Sequence, residues 1–218
     1  MSEEKVVITG DSRFDQIFYR KNKQMNSDYL NQFNNEHKYI IFGSVDSSDM
    51  AIIKSAISKT TQKYKYIFVP HEIDPSNIKN IQTILNNMNL DYIHLSESKN
   101  KELKNYDAII IDSIGILLDL YQYAEIAYVG GGFTTGVHSV IEPLVQNCLV
   151  CYGPKIDILN EAKEINSSII GHMINDSEDL TNIFKFIENK DMLLKYQSKG
   201  IEYINSKLHA TEKILKEL

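Results

Sequence analysis

The chain contains no tryptophan and only two cysteines, four prolines and ten glycines in 218 residues. It has no apolar run near the roughly 20 residues that a membrane-spanning helix requires, and its start, MSEEKVVITG, lacks the layout of a secretory signal. Basic residues number 23 against 29 acidic ones, for a net charge of -6. Because phosphate backbones call for clustered lysine and arginine, this balance argues against nucleic acid as a partner. We expect a cytoplasmic chain with no direct membrane span.

The two cysteines, Cys148 and Cys151, form the string CLVC inside a strand-like run. Residues three apart in a strand point to opposite faces of the sheet, so the spacing predicts two core thiols instead of a redox or metal pair. Zinc-type clusters, an HExxH motif, a Walker A loop and a Ser/His/Asp or Cys/His nucleophile set are not found in the sequence. We therefore predict no metal, no cofactor and no self-contained catalytic set.

Short apolar runs alternate with helix-period segments along the whole chain. The predicted strands cover residues 5–10, 39–44, 66–70, 92–95, 107–113, 125–132, 148–153 and 167–174. Runs rich in Ile, Val and Tyr that are apolar on both faces indicate parallel strands covered on each side. We predict an α/β fold, a Rossmann-like parallel sheet flanked by helices, in a single domain over residues 1–218 with C-terminal helices at about 176–218. The polar, Asn-rich residues 22–38 are interpreted as a helix end and a surface loop.

Ligands of such sheets bind beyond the carboxyl ends of the strands. The segments that follow the predicted strands are residues 10–13, 43–44, 70–72, 112–115, 130–138 and 152–155. The most informative is YVGGGFTTGVHSVIEP, which places four glycines within seven positions directly after a predicted strand. Glycines remove the Cβ that would keep a ligand away, and exposed amides at the next helix start suit an anion such as phosphate.

Glu142 has two interpretations. Ser139-x-x-Glu142 matches a capping box, in which the carboxylate accepts a backbone N–H. Proline is best tolerated at the first helical position, and Pro143 there would put Glu142 at the mouth of the helix, where a carboxylate can accept two hydrogen bonds from a ribose diol.

Four further residues also leave alternatives open. Arg13 offers a fork for phosphate or carboxylate, or forms a surface salt bridge. His71 and His138 either contact a ligand or serve their loops. Asp112 either contacts a ligand or caps the following short helix through Ser113.

Several stretches together resemble one family. They are GDSRFD (10–15), VPHE (69–72), IIDSIGILLDLY (110–121), AYVGGGF (127–133), GVHSVIEP (136–143), YGP (152–154) and LHATEKIL (208–215). In this order and spacing they are similar to the C-terminal half of 3-deoxy-D-manno-octulosonic acid (Kdo) transferases, which are GT-B glycosyltransferases of lipopolysaccharide synthesis. GGGF, GxHxxxEP and GP are the most specific part.

The resemblance implies a domain that binds the nucleotide-sugar donor CMP-Kdo. Glu142 and the turn at residues 136–139 would hold the cytidine ribose and phosphate, and Gly131 and Gly132 would let the donor approach. The donor-binding residues implied are Arg13, Ser44, Pro70, His71, Gly115, Gly131, Gly132, Gly136, Val137, His138, Ser139 and Glu142.

Three departures from the family pattern have consequences. Ser139 stands where the family commonly has Asn, and Pro-His-Glu stands where many members have Pro-Arg-His. We expect the N-terminal acceptor domain to be absent from this chain; in the family it carries the catalytic base, the acceptor site and the membrane anchor. We therefore expect no catalytic residue in this chain and no transfer by the chain alone, with the lipid A precursor reached through the missing domain at the cytoplasmic face of the inner membrane. The alternatives are a GT-B enzyme or epimerase that uses a UDP-sugar, and a non-catalytic nucleotide-binding module.

Overall fold

A computed structural model describes residues 6–23, 30–33, 39–61 and 64–218. In this part of the chain seven strands form one parallel sheet in the order β3-β4-β2-β1-β5-β6-β7. The strands are β1 (Tyr39–Val45), β2 (Lys65–Pro70), β3 (Tyr92–His94), β4 (Ala108–Ile110), β5 (Ala124–Val129), β6 (Leu149–Tyr152) and β7 (Gly171–Met173). The predicted α/β fold with a parallel sheet is confirmed.

Helices connect the strands and cover both faces of the sheet. They are α1 (Ser12–Asn22), α2 (Ser47–Lys59), α3 (Pro75–Asn87), α4 (Leu117–Leu120), α5 (Ile141–Val145), α6 (Asn160–Ser167), α7 (Ser177–Phe184), α8 (Lys190–Lys207) and α9 (Ala210–Lys216). Aspartates are the N-caps of α2, α3 and α7. The side chains of Asp46, Asp74 and Asp176 respectively accept backbone N–H groups in the first turn of these helices. Such N-caps satisfy donors that have no partner within the helix, and they fix where the helix starts.

The strands are buried on both faces, as their apolar composition predicts. In β1, Ile41 packs into the core on one side of the sheet, whereas Ile40 and Phe42 pack into the core on the other side. Cys148 and Cys151 divide in the same way, and both thiols are free and fully buried. Burial raises the pKa of each thiol well above its usual range. The prediction of two separate core thiols is confirmed.

Two local predictions are wrong. Residues 6–10 form no strand, because the segment pairs with no part of the sheet and its apolar side chains are exposed, Ile8 to 91%; Lys5 lies outside the described residues. In the polar segment, α1 does end at Asn22 as predicted, but Leu30 and Phe33 are buried in the core and do not belong to a surface loop. Residues 24–29 and 34–38 lie outside the described residues.

Candidate functional site

The order in which successive strands join the sheet reverses between β1 and β5, while all the strands stay parallel. From β1 the order continues to β2, β4 and β3 on one side, and β5, β6 and β7 lie on the other. A switch of this kind leaves a crevice at the carboxyl ends of the two strands. Ser44 lies there with a φ of 53°, a left-handed conformation that non-glycine residues seldom adopt, and the pairing with β2 is irregular between Gly43 and Val45. The structure thus places predicted site residue Ser44 at the switch point, outside the regular strand geometry.

The glycines after β5 are required by the protein's own packing. A Cβ at Gly130 would lie 2.2 Å from the Ser44 carbonyl oxygen, and one at Gly132 would lie 2.6 Å from the Gly153 amide nitrogen. Gly131 has a φ of +84°, and a Cβ there would lie 2.5 Å from the Gly136 carbonyl oxygen. The glycines thereby bring three chain segments into backbone contact, and the space beside each of them is occupied by protein.

The same loop satisfies many of its amides internally. The N–H groups of Thr134 and Gly136 donate to the Gly131 carbonyl, and that of His138 donates to the Gly130 carbonyl. The following helix, α5, has only five residues, so its dipole is that of little more than one turn. The glycine pattern predicts a row of exposed amides. In the structure these amides largely donate to carbonyls of the same loop, so the loop is closed on itself.

Gly136 and Val137 also hold the loop together. A Cβ on Gly136, whose φ is +117°, would lie 2.5 Å from the side chain of Ile158. Val137 is buried, and its N–H donates to the Lys155 carbonyl over 3.0 Å. These two predicted site residues fix the turn against the segment that follows β6.

Two carboxylates that the sequence interpretation missed anchor the glycine loop to α2. Asp49 is fully buried and accepts hydrogen bonds from the Tyr128 hydroxyl (2.5 Å), the Gly131 N–H (3.1 Å) and the Asp46 N–H (3.0 Å). Asp46 caps α2 and accepts from the Thr134 hydroxyl at 2.9 Å. The signal was present as Asp46-Ser-Ser-Asp49 directly after a strand, which is a capping-box pattern with Asp in both positions.

His71 and His138 meet at the crevice. Their rings stack with centroids 4.2 Å apart and an interplanar angle of 17°. The His71 N–H donates to the Val45 carbonyl, and the ring of His138 lies so close to Gly131 that a Cβ there would approach Nε2 to 2.9 Å. Burial lowers the pKa of His138, the neighbouring His71 lowers it further, and Asp46 opposes both. Two residues predicted independently are thus brought into direct contact.

Glu142 is half-buried in the second position of α5, after Val140 as N-cap and Ile141 as the first helical residue. Both sequence interpretations of its helix position are therefore wrong, since the capping box does not form and Pro143 is the third helical residue. Within the described residues, no hydrogen-bond donor reaches the Glu142 carboxylate. This short helix begins where the chain leaves the tight turn. The sequence pattern did not predict that starting residue.

The surroundings of Glu142 are acidic and apolar. Burial raises its pKa, nearby Arg20 opposes that rise, and Asp119 adds to it. Asp119 is itself only 5% exposed, and its Oδ2 has no partner among the described residues. The charge of Glu142 also contributes to the raised pKa of Tyr121. The Tyr121 hydroxyl lies 2.2 Å from the position that a Cβ on Gly43 would occupy. Glu142 therefore lies by the carboxyl end of β1, at the switch point.

Other predicted residues have different surroundings. Arg13 forms ion pairs with Asp11 (2.6 Å) and Glu161 (2.9 Å), which favours the salt-bridge alternative. Asp112 accepts from the N–H and the hydroxyl of Ser96, so its carboxylate is bonded to the segment after β3 and not to the start of the next helix.

Three more site residues line the same edge of the sheet. Pro70 is buried and ends β2. Gly115 has a φ of +85° with open space beside it, and Ser139 is exposed.

The sheet order, the closed glycine loop and the crevice define a known class. The C-terminal CMP-Kdo binding domain of WaaA from Acinetobacter baumannii has the same fold with a TM-score of 0.64 at 19% identity, over 88% of this chain and 99% of that one. Anabaena HepE, solved with UDP-glucose, gives a TM-score of 0.62 at 12% identity over 94% of this chain and 53% of its own. The fold is that of the C-terminal domain of GT-B glycosyltransferases.

Sequence similarity narrows the class. The 3-deoxy-D-manno-octulosonic acid transferase of Chlamydophila psittaci is 26% identical over 211 residues, or 94% of this chain and 47% of the relative. That of Aquifex aeolicus is 28% identical over 76% of this chain and 46% of the relative. A bifunctional glycosyltransferase/methyltransferase of Fusobacterium nucleatum is 28% identical over 86% of this chain and 30% of its own length. No protein-family model matches the chain.

These similarities confirm the resemblance seen in the motifs: the chain is a homologue of the C-terminal domain of Kdo transferases. It spans less than half the length of the curated relatives described above. Within the described residues, no helix has the length and apolarity needed to cross a bilayer.

Proposed function

We propose that this chain is the donor-binding part of a glycosyltransferase that transfers Kdo from CMP-Kdo to a lipid A precursor. The observation that carries the proposal is Glu142, a half-buried carboxylate at the switch point with no hydrogen-bond donor among the described residues. Partial burial of a carboxylate without a protein donor lowers stability, and a ligand that supplies donors would offset this cost. A ribose diol supplies two hydroxyl donors at the spacing of a carboxylate.

The residues around Glu142 have complementary roles in this proposal. Ser44 lies in β1, and the stacked rings of His71 and His138 come from the end of β2 and from the glycine loop; we assign all three to the donor site. Ser139 is exposed beside them and can donate to a phosphate oxygen. Gly131, Gly132, Gly136 and Val137 act through the loop backbone, which they hold in place.

The donor half alone is proposed to bind without transferring. Attack by an acceptor hydroxyl requires a general base within hydrogen-bond reach of that hydroxyl. We place that base, the acceptor site and attachment to the inner membrane in a partner domain that corresponds to the remaining half of the longer relatives. The domain supplies binding and orientation of the donor, which lowers the entropic part of the barrier.

The test replaces Glu142 by Gln and measures cytidine 5′-monophosphate binding by calorimetry. The amide removes the charge and one of the two acceptor oxygens, so loss of at least one charge-assisted hydrogen bond, worth about 1.5–3 kcal/mol, is expected to weaken binding at least about tenfold. Thermal stability is expected to be unchanged or higher, because the raised pKa of Glu142 shows that the folded state disfavours its charge. Glu102→Gln, whose side chain is 65% exposed and pairs with Lys104, serves as the matched control.

Unchanged affinity in the Glu142 variant would contradict the ribose role. Titration with UMP and UDP-glucose in parallel distinguishes the cytidine donor from a UDP-sugar, the ligand seen in HepE, which shares the fold. Binding of no nucleotide at all would contradict the proposed function.

A further inference from the structure

The backbone of both members of the stacked pair, His71 and His138, is fixed by hydrogen bonds. The backbone N–H of His71 donates to the Val45 carbonyl at 2.9 Å, and the backbone N–H of His138 donates to the Gly130 carbonyl at 3.2 Å. The His138 ring also rests against Gly131, where no side chain could fit. Rings held 4.2 Å apart and nearly parallel are compatible with two neutral imidazoles, whereas two imidazolium charges at that distance would repel.

The charged groups around this pair are of both signs. Asp46, at the start of α2, is the carboxylate that faces His138. From the loop after β6, the exposed Lys155 ammonium donates to the Thr134 carbonyl at 2.7 Å and keeps its positive charge. Arg13 is held by two carboxylates, and Arg20 faces Glu142 and Asp119. The two arginines are thus directed at carboxylates of the protein, so a proton on the histidine pair would add to the charge of Lys155.

We propose that the His71–His138 pair takes up a proton when the phosphate of the nucleotide donor binds beside it, so that donor affinity increases as the pH falls through neutrality. The inference rests on the proposed function, and it concerns how the site compensates the donor's negative charge. A neutral imidazole donates one hydrogen bond. An imidazolium donates two and adds a positive charge beside the phosphate diester.

The direction follows from the environment of the rings. In the free protein, burial and the second ring keep the pKa of His138 below its usual value, so the His138 ring is neutral at pH 7. An anion placed within about 4–6 Å favours the charged form and raises that pKa. When a site is neutral before binding and protonated after it, the affinity falls by up to about tenfold for each unit of pH increase.

The experiment measures binding of the methyl phosphodiester of cytidine 5′-monophosphate at pH 6, 7 and 8. This probe carries one negative charge that does not titrate in the range, and uncharged cytidine is titrated beside it. Calorimetry in two buffers of different ionisation enthalpy counts the protons taken up. We expect uptake of a substantial fraction of one proton at pH 7, and affinity about tenfold weaker at pH 8 than at pH 6.5 for the phosphodiester, with no pH dependence for cytidine.

The variants separate charge from packing. His71→Arg supplies a permanent cation and is expected to bind the phosphodiester with similar affinity at pH 6 and pH 8, with proton uptake lost or greatly reduced. His71→Gln is expected to reduce the increase in affinity at low pH, because only one imidazole of the pair remains to take up the proton. His209→Asn removes a 66%-exposed histidine at a left-handed position that Asn tolerates, and it should retain the wild-type pH dependence.

The outcomes are distinguishable from a failure of the proposed function. Binding of the phosphodiester with equal affinity at pH 6 and pH 8 and no proton uptake would overturn the inference and leave the proposed function intact. A pH dependence that persists in His71→Arg would also overturn it. Absence of binding by both probes at every pH would contradict the proposed function itself.

Discussion

His172 makes folding stability depend on pH in a way that can be isolated. It lies in β7, where its ring packs edge-on against Tyr196 with centroids 4.5 Å apart and also contacts Phe186. Its Nε2 is buried without a hydrogen-bond partner among the described residues. Burial lowers the pKa of His172 from 6.5 to about 4, because the imidazolium would lose solvation that nothing in its surroundings replaces.

The sign and size of the effect follow from proton linkage. A histidine with a depressed pKa in the folded state favours folding when it is neutral, so this stability is present above pH 6.5 and is lost as the pH falls toward 4. Between pH 8 and pH 5 the two pKa values correspond to a loss of about 2 kcal/mol. Partial exposure of the ring reduces the expected loss to about 1–2 kcal/mol.

The assay is urea unfolding followed by circular dichroism at pH 5, 6, 7 and 8, for the wild type and His172→Phe. Phenylalanine keeps the aromatic contacts with Tyr196 and Phe186 and cannot be protonated. The stability difference between the two proteins should shift in favour of the variant by about 1–2 kcal/mol as the pH falls from 8 to 5. Parallel pH profiles of the two proteins would refute the reasoning, since carboxylates that titrate in the same range contribute equally to both.

Two further predictions concern the glycine loop. Gly132→Ala is expected to lower the free energy of unfolding by about 1–3 kcal/mol, because its Cβ would meet the backbone of Gly153 at 2.6–2.9 Å, and urea unfolding measures it; an unchanged midpoint would show that the segments separate easily. Asp49→Ala should cost about 2–4 kcal/mol in the same assay, because two backbone N–H groups and the Tyr128 hydroxyl lose their acceptor. Asp49→Asn should cost less, because that hydroxyl can turn to accept from the amide, and equal losses in both variants would contradict this assignment.

The sheet could be predicted from the sequence because its strands are short runs that are apolar on both faces. The same criterion failed at residues 6–10, where VVITG has strand composition but no neighbouring strand pairs with it. Composition reports the preference of a segment and not the presence of a partner. Leu30 and Phe33 show the converse, since two apolar residues within a polar segment are enough to enter the core when the sheet offers a place for them.

The sequence indicated where a site could lie better than it indicated the contacts there. The rule that ligands bind beyond the carboxyl ends of the strands selected Ser44, His71 and His138 from segments far apart in sequence, and the structure brings the two histidine rings together. Glu142 was singled out by the Glu-Pro pair instead. The sequence did not reveal that Asp49 fixes the glycine loop, because a capping pattern gives no sign that the carboxylate also reaches an N–H 82 residues away.

The glycines illustrate why the sequence pattern alone supported a different explanation. A triple glycine after a strand has the composition of an anion-binding loop, yet here Gly130 and Gly132 lie against backbone of other segments and Gly131 lies against the Gly136 carbonyl of the same loop. Gly130 permits contact with Ser44, whose own left-handed backbone turns β1 toward the crevice. If the loop were built to admit a ligand beside every glycine, an added Cβ would meet open space, as it does at Gly115. The loop is therefore better understood as a support that is closed on itself, and in the function we propose the groups that recognise the ligand are the side chains it positions, His138 foremost among them.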